Sequence, residues 1–300
     1  MRVLLGTDIG GTTTKLGFIS ETGTILKKWS LPTIKTNNEF QMLDAITASY
    51  KNETEHDFIL SGVGIGVPGS VNPQTMAVYD CNNLGWHDNI DIASYVSSNL
   101  NTLVRVENDA NVAALGEIWR GSCSSNNILY VTLGTGVGAG IVLNGKLVSG
   151  SLGAAGELGH VIVDPNGFMC SCGNRGCLET VASATGIVRL YKHYSKNSIS
   201  KTTAEEVFNR AKSGEQIALE VVDTACDFLG LGIANTVNLL NLEEVIIGGG
   251  VSAAGEFLRN KIQNSMKKYL YLNNKEHVQL KLASLGNDAG ILGAAYLVKK

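Results

Sequence analysis

Proline is scarce in this chain of 300 residues, with four against 35 glycines. Excess glycine without proline or short repeats excludes a collagen-like rod and a low-complexity linker. Long apolar runs are also missing. Mean hydropathy is only slightly positive, +0.09, and no stretch approaches the roughly 18 consecutive apolar residues that a membrane span needs. The N-terminal run Met1-Arg2-Val3-Leu4-Leu5 turns polar at Thr7-Asp8, too early for the apolar core of a secretory signal. A cytoplasmic protein without a membrane partner is expected. Lysine and arginine form no block: 24 basic residues face 27 acidic ones, for a net charge of −3 and a pI near 6.0. A nucleic-acid partner held by a basic patch is therefore not expected. No Pro- or Ser-rich linker divides the chain, so any hinge lies within ordered structure, near Arg120 and again near Leu285.

What is there is enough for two domains, at about 100–200 residues each. The 44 % hydrophobic and 17 % charged fractions describe an ordinary globular chain with a sizeable core. Val3 to Ile9 reads as a strand broken by Gly10-Gly11, and a second runs from Lys15 to Ser20. A Thr22-Gly23 turn leads to a third strand ending at Trp29, which completes a meander. Residues 39–50 carry a helical pattern. Residues 58–67 form a buried strand that ends at Pro68-Gly69, and Val104–Glu107 leads into a helix over Ala110–Trp119. The meander then recurs at 128–148, with Gly134-Thr135-Gly136-Val137-Gly138 and Asn144-Gly145 at its turns. Internal repetition on this scale predicts two related halves. The second half is more helical, with one long buried helix over 218–240, strand Glu244–Ile247, a helix from about Ala253 to Tyr269 and a closing helix that follows Asn287-Asp288 and runs through Leu297.

Three glycine clusters sit at strand ends. Around Asp8-Ile9-Gly10-Gly11-Thr12-Thr13-Thr14-Lys15, backbone N–H groups, hydroxyls and a lysine suit phosphate oxygens, and Asp8 could hold a metal through water. A plain hairpin turn explains the same residues. Gly134–Gly140 is neither a Walker loop nor a Rossmann fingerprint, because no Gly-Lys-Ser/Thr is present and a strand follows. Gly248-Gly249-Gly250 ends a strand and opens a helix, where an adenosine moiety or a simple helix entry fits. Taken together in a repeated meander, the three point to a nucleotide.

Glu107-Asn108-Asp109-Ala110-Asn111 closes a strand and starts a helix. Asp109 reads as the helix N-cap, as a general base for a substrate hydroxyl, or as both, since a helix N-terminus favours the carboxylate form. His160 with Cys170, Cys172 and Cys177 supplies one imidazole and three thiols. In a reducing compartment that set suits a closed structural zinc site better than disulfides. Three buried free thiols are the alternative. Cys81, Cys123 and Cys226 are scattered and read as small apolar residues. Glu157, within Gly156-Glu157-Leu158-Gly159-His160, and Glu179 flank the cluster and suit sugar hydroxyls, though Glu179 is also placed to start a helix.

In these motifs the chain resembles the ROK family of sugar kinases, within the actin, sugar kinase and Hsp70 superfamily. The matching pieces are Asp8-Ile9-Gly10-Gly11-Thr12, Glu107-Asn108-Asp109-Ala110-Asn111, Leu133-Gly134-Thr135-Gly136-Val137-Gly138, Gly156-Glu157-Leu158-Gly159-His160, Cys170-x-Cys172-Gly173-x-x-Gly176-Cys177-Leu178-Glu179 and Leu285-Gly286-Asn287-Asp288-Ala289-Gly290. The resemblance implies an α/β fold of two ribonuclease-H-like (actin-like ATPase) domains, 1–119 plus 286–300 and 120–285, with a sugar cleft between them. It implies ATP-dependent phosphorylation of a hexose 6-hydroxyl, with Asp109 as catalytic base. Gly69, Asn82, Asn108, Asp109, Glu157, His160 and Glu179 match sugar-contact positions. Asp8, Gly10, Gly11, Thr12, Thr13, Lys15, Gly134, Thr135, Gly136, Gly249 and Gly250 match the loops that meet ATP, with Mg²⁺ bridging its phosphates. His160, Cys170, Cys172 and Cys177 match zinc ligands, and a homodimer is implied.

Within the family, Asn83-Leu84-Gly85-Trp86, Leu152-Gly153-Ala154-Ala155-Gly156-Glu157 and Cys177-Leu178-Glu179-Thr180-Val181-Ala182-Ser183 are most similar to bacterial glucokinases. Asp80-Cys81-Asn82 departs from the small apolar residues expected there. Members acting on N-acetylmannosamine, N-acetylglucosamine, fructose or β-glucosides share most of these residues. Sugar-responsive repressors of the family carry a DNA-binding module ahead of the first meander, which here starts at Val3.

Overall fold

The structure, a computed structural model, describes residues 1–36, 38, 40–54, 58–79, 81, 84–86, 89–195 and 202–299. The chain opens on strands β1 (Arg2–Ile9), β2 (Thr13–Ser20) and β3 (Ile25–Pro32), followed by helix α1 (Phe40–Glu53) and strand β4 (Ile59–Val67). A short ribbon of β5 (Ser70–Val71) and β6 (Val78–Tyr79) precedes α2 (Ile92–Leu100), β7 (Val104–Asn108) and α3 (Asp109–Arg120). The plan then repeats. Strands β8 (Ile128–Leu133), β9 (Val137–Leu143) and β10 (Lys146–Leu147) form the second meander. Four helices follow: α4 (Glu179–Ala182), α5 (Ala184–Ser195), α6 (Ala204–Lys212) and α7 (Gln216–Leu240). Strand β11 (Glu244–Gly248), helices α8 (Glu256–Tyr269) and α9 (Leu272–His277), strand β12 (Gln279–Leu282) and helix α10 (Ala289–Tyr296) complete the chain.

The two larger sheets share one topology, β3-β2-β1-β4-β7 and β10-β9-β8-β11-β12. In each, the first strand pairs antiparallel with the second and parallel with the strand that follows the crossover. Strands covered on both faces read as continuous apolar runs, as in Val-Ile-Ile of β11. The edge strand β3 instead alternates half-buried and exposed residues and ends on Pro32, where no further ladder bond is needed. The Asn144-Gly145 hairpin has both residues left-handed, at φ 52° and 72°, the backbone that a tight turn between twisted strands requires.

The chain divides into two compact units, the first of residues 1–123, 147–155 and 284–300, the second of residues 124–146 and 156–283. Segment 147–155 thus groups with the first unit, although it lies in sequence within the second half. The α/β class and the repeated meander match the sequence reading. Helices α2, α5, α6 and α9 go beyond the sequence expectation, although α6 carries a full capping box between Thr203 and Glu206. Among the described residues, no helix is long and apolar enough to cross a membrane.

Within the first unit, α10 lies against β1, β4 and α3 at backbone distance. A Cβ added at Gly6 would stand 1.9 Å from the Ile291 carbonyl oxygen, one at Gly64 1.7 Å from that of Ala294, and one at Gly293 1.5 Å from that of Val112. Four acceptor-rich backbones meet here because no side chain stands between them. At the far end of α3, the buried Glu117 accepts the N–H groups of Ser122 (3.1 Å), Ser284 (2.9 Å) and Leu285 (2.9 Å), and the hydroxyls of Ser122 (3.4 Å) and Ser284 (3.2 Å). One carboxylate thus holds two segments more than 150 residues apart in sequence.

The glycine packing makes a direct prediction. Gly293→Ala should destabilise the protein by about 3 kcal/mol or more, since backbone cannot yield as a flexible side chain does. Gly134→Ala, with no atom within 4 Å of its added Cβ, should leave the urea midpoint within experimental scatter. Equal midpoints for the two variants would refute the close-packing argument.

Candidate functional site

In the first unit the loop residues gather at the strand ends. Gly10 N–H donates to Thr13 O (3.1 Å), closing the turn between β1 and β2, and Thr33 buttresses it through a hydroxyl bond to Gly10 O (2.7 Å) and an N–H bond to Thr12 O (3.0 Å). Lys15 reaches Asn287 (3.3 Å). Asp8, at the same strand end, sits against Gly290, whose added Cβ would lie 2.4 Å from Asp8 Oδ2. Burial pushes the Asp8 carboxyl above its ordinary range, and the positive charge of Lys15 partly opposes that.

Beside this turn lies the junction of β7 and α3. Here the sequence reading needs a correction: Asn108, not Asp109, caps the helix. Asn108 has extended backbone, φ −61° and ψ 148°, and its Oδ1 accepts the N–H groups of Ala110 (2.9 Å) and Asn111 (3.3 Å). Its amide Nδ2 donates to Gly69 O (3.2 Å), which binds the junction to the end of β4. Asp109 is therefore the first helical residue. Its Oδ1 accepts Ala110 N–H at 2.8 Å, and the helix terminus favours its ionised form. That negative charge registers on a neighbour: burial first, and then Asp109, push the Cys81 thiol up to about 12, against a lowering bond from the Leu84 N–H. Gly69, Asn108 and Asp109 thus form one group. Asn82, expected beside them, lies outside the described residues.

The second unit assembles the remaining residues. The Gly134–Gly138 turn is closed by Gly134 N–H on Gly136 O (3.0 Å) and braced from the start of α5: Ala184 N–H donates to Gly134 O (2.9 Å) and the Thr185 hydroxyl to Thr135 O (2.9 Å). Gly249, at φ 80°, backs onto this turn, and an added Cβ would stand 2.5 Å from Leu133 N. The second and third glycine clusters are therefore neighbours. Glu179 begins α4, as its helix-start reading anticipated, and its Oε2 also accepts Val137 N–H (3.0 Å).

His160, Cys170, Cys172 and Cys177 offer ligand atoms that all lie within 4.8 Å of one another. Cys172 Sγ to Cys177 Sγ is 3.6 Å, and Cys170 Sγ to His160 Nδ1 is 3.6 Å. A tetrahedral zinc with about 2.3 Å Zn–S bonds has edges of about 3.8 Å, so the set fits such an ion. The Asn174 N–H holds the Cys172 thiol down to about 7, whereas burial pushes Cys177 up to about 12. The other ring nitrogen of His160 is 3.9 Å from Glu157, which leaves the imidazole shared between the thiols on one side and Glu157 on the other.

The description of the ROK family matches residues 4–300. The chain belongs to the ROK family. It is 40 % identical to a glucokinase of Halalkalibacterium halodurans, covering all of this chain and 96 % of that protein. It is 38 % identical to a glucokinase of Thermotoga maritima, covering 99 % and 97 %. Among solved structures, a ROK family glucokinase from Streptomyces griseus in complex with glucose and AMPPNP superposes with a TM-score of 0.83 at 32 % identity, covering 98 % of each chain.

As in the other ROK proteins it resembles, this chain's fold is that of the actin-like ATPases. Its site residues fall into two sets, one per unit. Glu107 and Ser149 were assigned no role from sequence, yet they hydrogen-bond beside Asp109. The available signal is a carboxylate directly ahead of the Asn108-Asp109 pair.

The cap makes the junction testable apart from any activity. Asn108→Ala removes an acceptor for two helix N–H groups and the donor to Gly69 O, and should cost about 1–2 kcal/mol of stability. Chemical denaturation of both proteins measures it, and an unchanged midpoint would show that Asn108 does not cap α3.

Proposed function

We propose that this ROK protein transfers the γ-phosphoryl group of ATP to the 6-hydroxyl of a hexose, with glucose as the preferred acceptor. The observation that carries the reading is Asp109, the first residue of α3, with Asn108 and Gly69 beside it. Phosphoryl transfer needs little covalent chemistry from a protein. It needs the acceptor hydroxyl aligned, its proton accepted and the phosphate charge neutralised. Asp109 takes the proton of the 6-hydroxyl. Gly69, Asn108, Glu157, His160 and Glu179 hold the other hydroxyls, with amide and carboxylate groups suited to a ring of alternating donors and acceptors. Asn82 belongs to the same proposed set.

The turn at Gly10, Gly11, Thr12 and Thr13, together with Lys15, contributes N–H groups, hydroxyls and one positive charge for phosphate oxygens. Gly134, Thr135, Gly136, Gly249 and Gly250 offer bare backbone to the rest of the nucleotide. Asp8 would hold Mg²⁺, which would supply positive charge to neutralise the phosphates. The raised Asp8 carboxyl fits such a partner, since a nearby cation restores its ionised form. Glucose is favoured because the glucokinase relatives match over nearly the whole chain. N-acetylmannosamine, N-acetylglucosamine, fructose and β-glucosides are the alternatives that a coupled ATP-consumption assay separates. Asp109→Asn should lower kcat by about 10²–10⁴-fold while leaving the melting temperature unchanged. Retained turnover would remove Asp109 from its role.

His160, Cys170, Cys172 and Cys177 are proposed to hold one structural Zn²⁺ per chain. Four protein ligands leave no open position, so the ion would shape the Glu157–His160 loop. Metal analysis of the purified protein should find close to one zinc per chain, and Cys177→Ser should lose it together with hexose affinity. Hexose binding undiminished in zinc-free protein would overturn this role.

A further inference from the structure

Segment 147–155 leaves the second unit after Lys146 and rejoins it at Gly156. In between it is fastened to the first unit at two points. The Ser149 hydroxyl donates to Glu107 Oε2 (3.3 Å). Four residues on, Gly153 sits so close to β5 that an added Cβ would be 1.8 Å from Val71 O. Its φ of 76° is a conformation in which glycine alone rests without strain. An Ala155 N–H bond to Ser149 O (3.1 Å) closes the segment on itself, and Leu152 stands out from it, 67 % exposed.

The two anchor points frame the proposed catalytic group. Glu107 immediately precedes Asn108 and Asp109, while Val71 follows Gly69 by two residues. The other oxygen of Glu107 is also engaged. Oε1 accepts the N–H of Asn108 (2.9 Å) and the side-chain amide of Asn111 (3.0 Å). Asn111 is buried, and among the described residues its own Oδ1 has no hydrogen-bond partner, so the bond to Glu107 is what fixes this amide. One carboxylate therefore grips the first turn of α3 with one oxygen and the excursion with the other. The excursion itself runs directly into Gly156 and Glu157.

We propose that Glu107 is a positioning residue and that its bond to Ser149 is a latch. The latch seats segment 147–155, the stretch that runs on into Glu157, against the turn that carries Asp109. The inference rests on the proposed hexose kinase activity, in which Asp109 is the base and Glu157 a sugar contact. The latch itself touches no reacting atom. Its loss loosens the seating of the sugar rather than the chemistry of a sugar already seated, whereas loss of Glu107 also frees the turn that carries Asp109.

The test is a set of steady-state measurements on the full chain with glucose and ATP. Ser149→Ala should raise the KM for glucose about three- to tenfold, with kcat within twofold and the KM for ATP unchanged. Ser149→Thr, which keeps the hydroxyl, should restore the glucose KM. Glu107→Ala should raise the glucose KM and lower kcat by at least tenfold, and adding Ser149→Ala to it should change the glucose KM no further. That non-additivity is the signature of one shared interaction. An unchanged glucose KM in Ser149→Ala, or multiplicative effects in the double variant, would overturn the latch. Melting temperatures separate a loss of fold from a loss of position: a Glu107→Ala protein that melts early still leaves the Ser149 pair to decide. Asp109→Asn is measured alongside. Its retained turnover would overturn the kinase reading, whereas an inactive Asp109→Asn with additive Glu107 and Ser149 effects overturns the latch alone.

Discussion

The first unit depends on a helix from the end of the chain lying at backbone distance from strands at its beginning. Helix α10 meets β1 at Gly6, β4 at Gly64 and α3 through Gly116 and Gly293, where an added Cβ would fall between 1.5 and 2.3 Å from a carbonyl oxygen. Such contact has no room for adjustment, because backbone positions cannot repack as rotamers do. It sets where α3 lies against the sheet, and α3 carries Asp109. The place of Asp109 in the unit is therefore set by glycines of other elements packed at backbone distance. The same constraint explains why the last 17 residues, 284–300, belong to the first unit: α10 supplies the surface that covers one face of β1 and β4.

Much of this was legible in the sequence, for identifiable reasons. The two meanders show because a strand, a tight glycine turn and a second strand leave a period-2 pattern with punctuation. The His160–Cys177 cluster shows because its ligands are close in sequence, so their spacing already carries the geometry. The long helix α7 shows because 25 residues give its apolar spacing ample room to repeat. What stayed hidden depends on contacts between distant residues. Ser149 is an ordinary serine until the fold brings it to Glu107, 42 positions earlier. Segment 147–155 continues a strand of the second half, and only Gly153 against Val71 reveals where it packs.

The Asn108 and Asp109 assignment is instructive because both residues suit an N-cap by type. Frequency alone favoured Asp109, and backbone geometry decided for Asn108, whose extended φ and ψ let its side chain fold back onto two N–H groups. The shift of one position has a chemical consequence. A capping aspartate spends its carboxylate on the helix end, whereas an asparagine cap satisfies those donors with a neutral amide. The carboxylate of the next residue then stands at the same favourable terminus.

Helix α3 draws three acids into three different tasks within eleven positions. Glu107 precedes it, holding an amide N–H and a side-chain amide with one oxygen and a serine hydroxyl with the other. Asp109 begins it, at the terminus where a negative charge is favoured. Glu117 lies near its end, buried and met by five donors from residues 122, 284 and 285. Their chemistry is the same, so their difference is entirely one of surroundings. Where many N–H and hydroxyl donors converge, a carboxylate becomes a structural tie, since removing it strands every donor at once. Where a carboxylate stands at the first residue of a helix, the terminus stabilises its charge instead. A helix held by ties at both ends keeps its first residue in a fixed place, and in this chain the residues at both ends are acids of α3 itself or of the strand that leads into it.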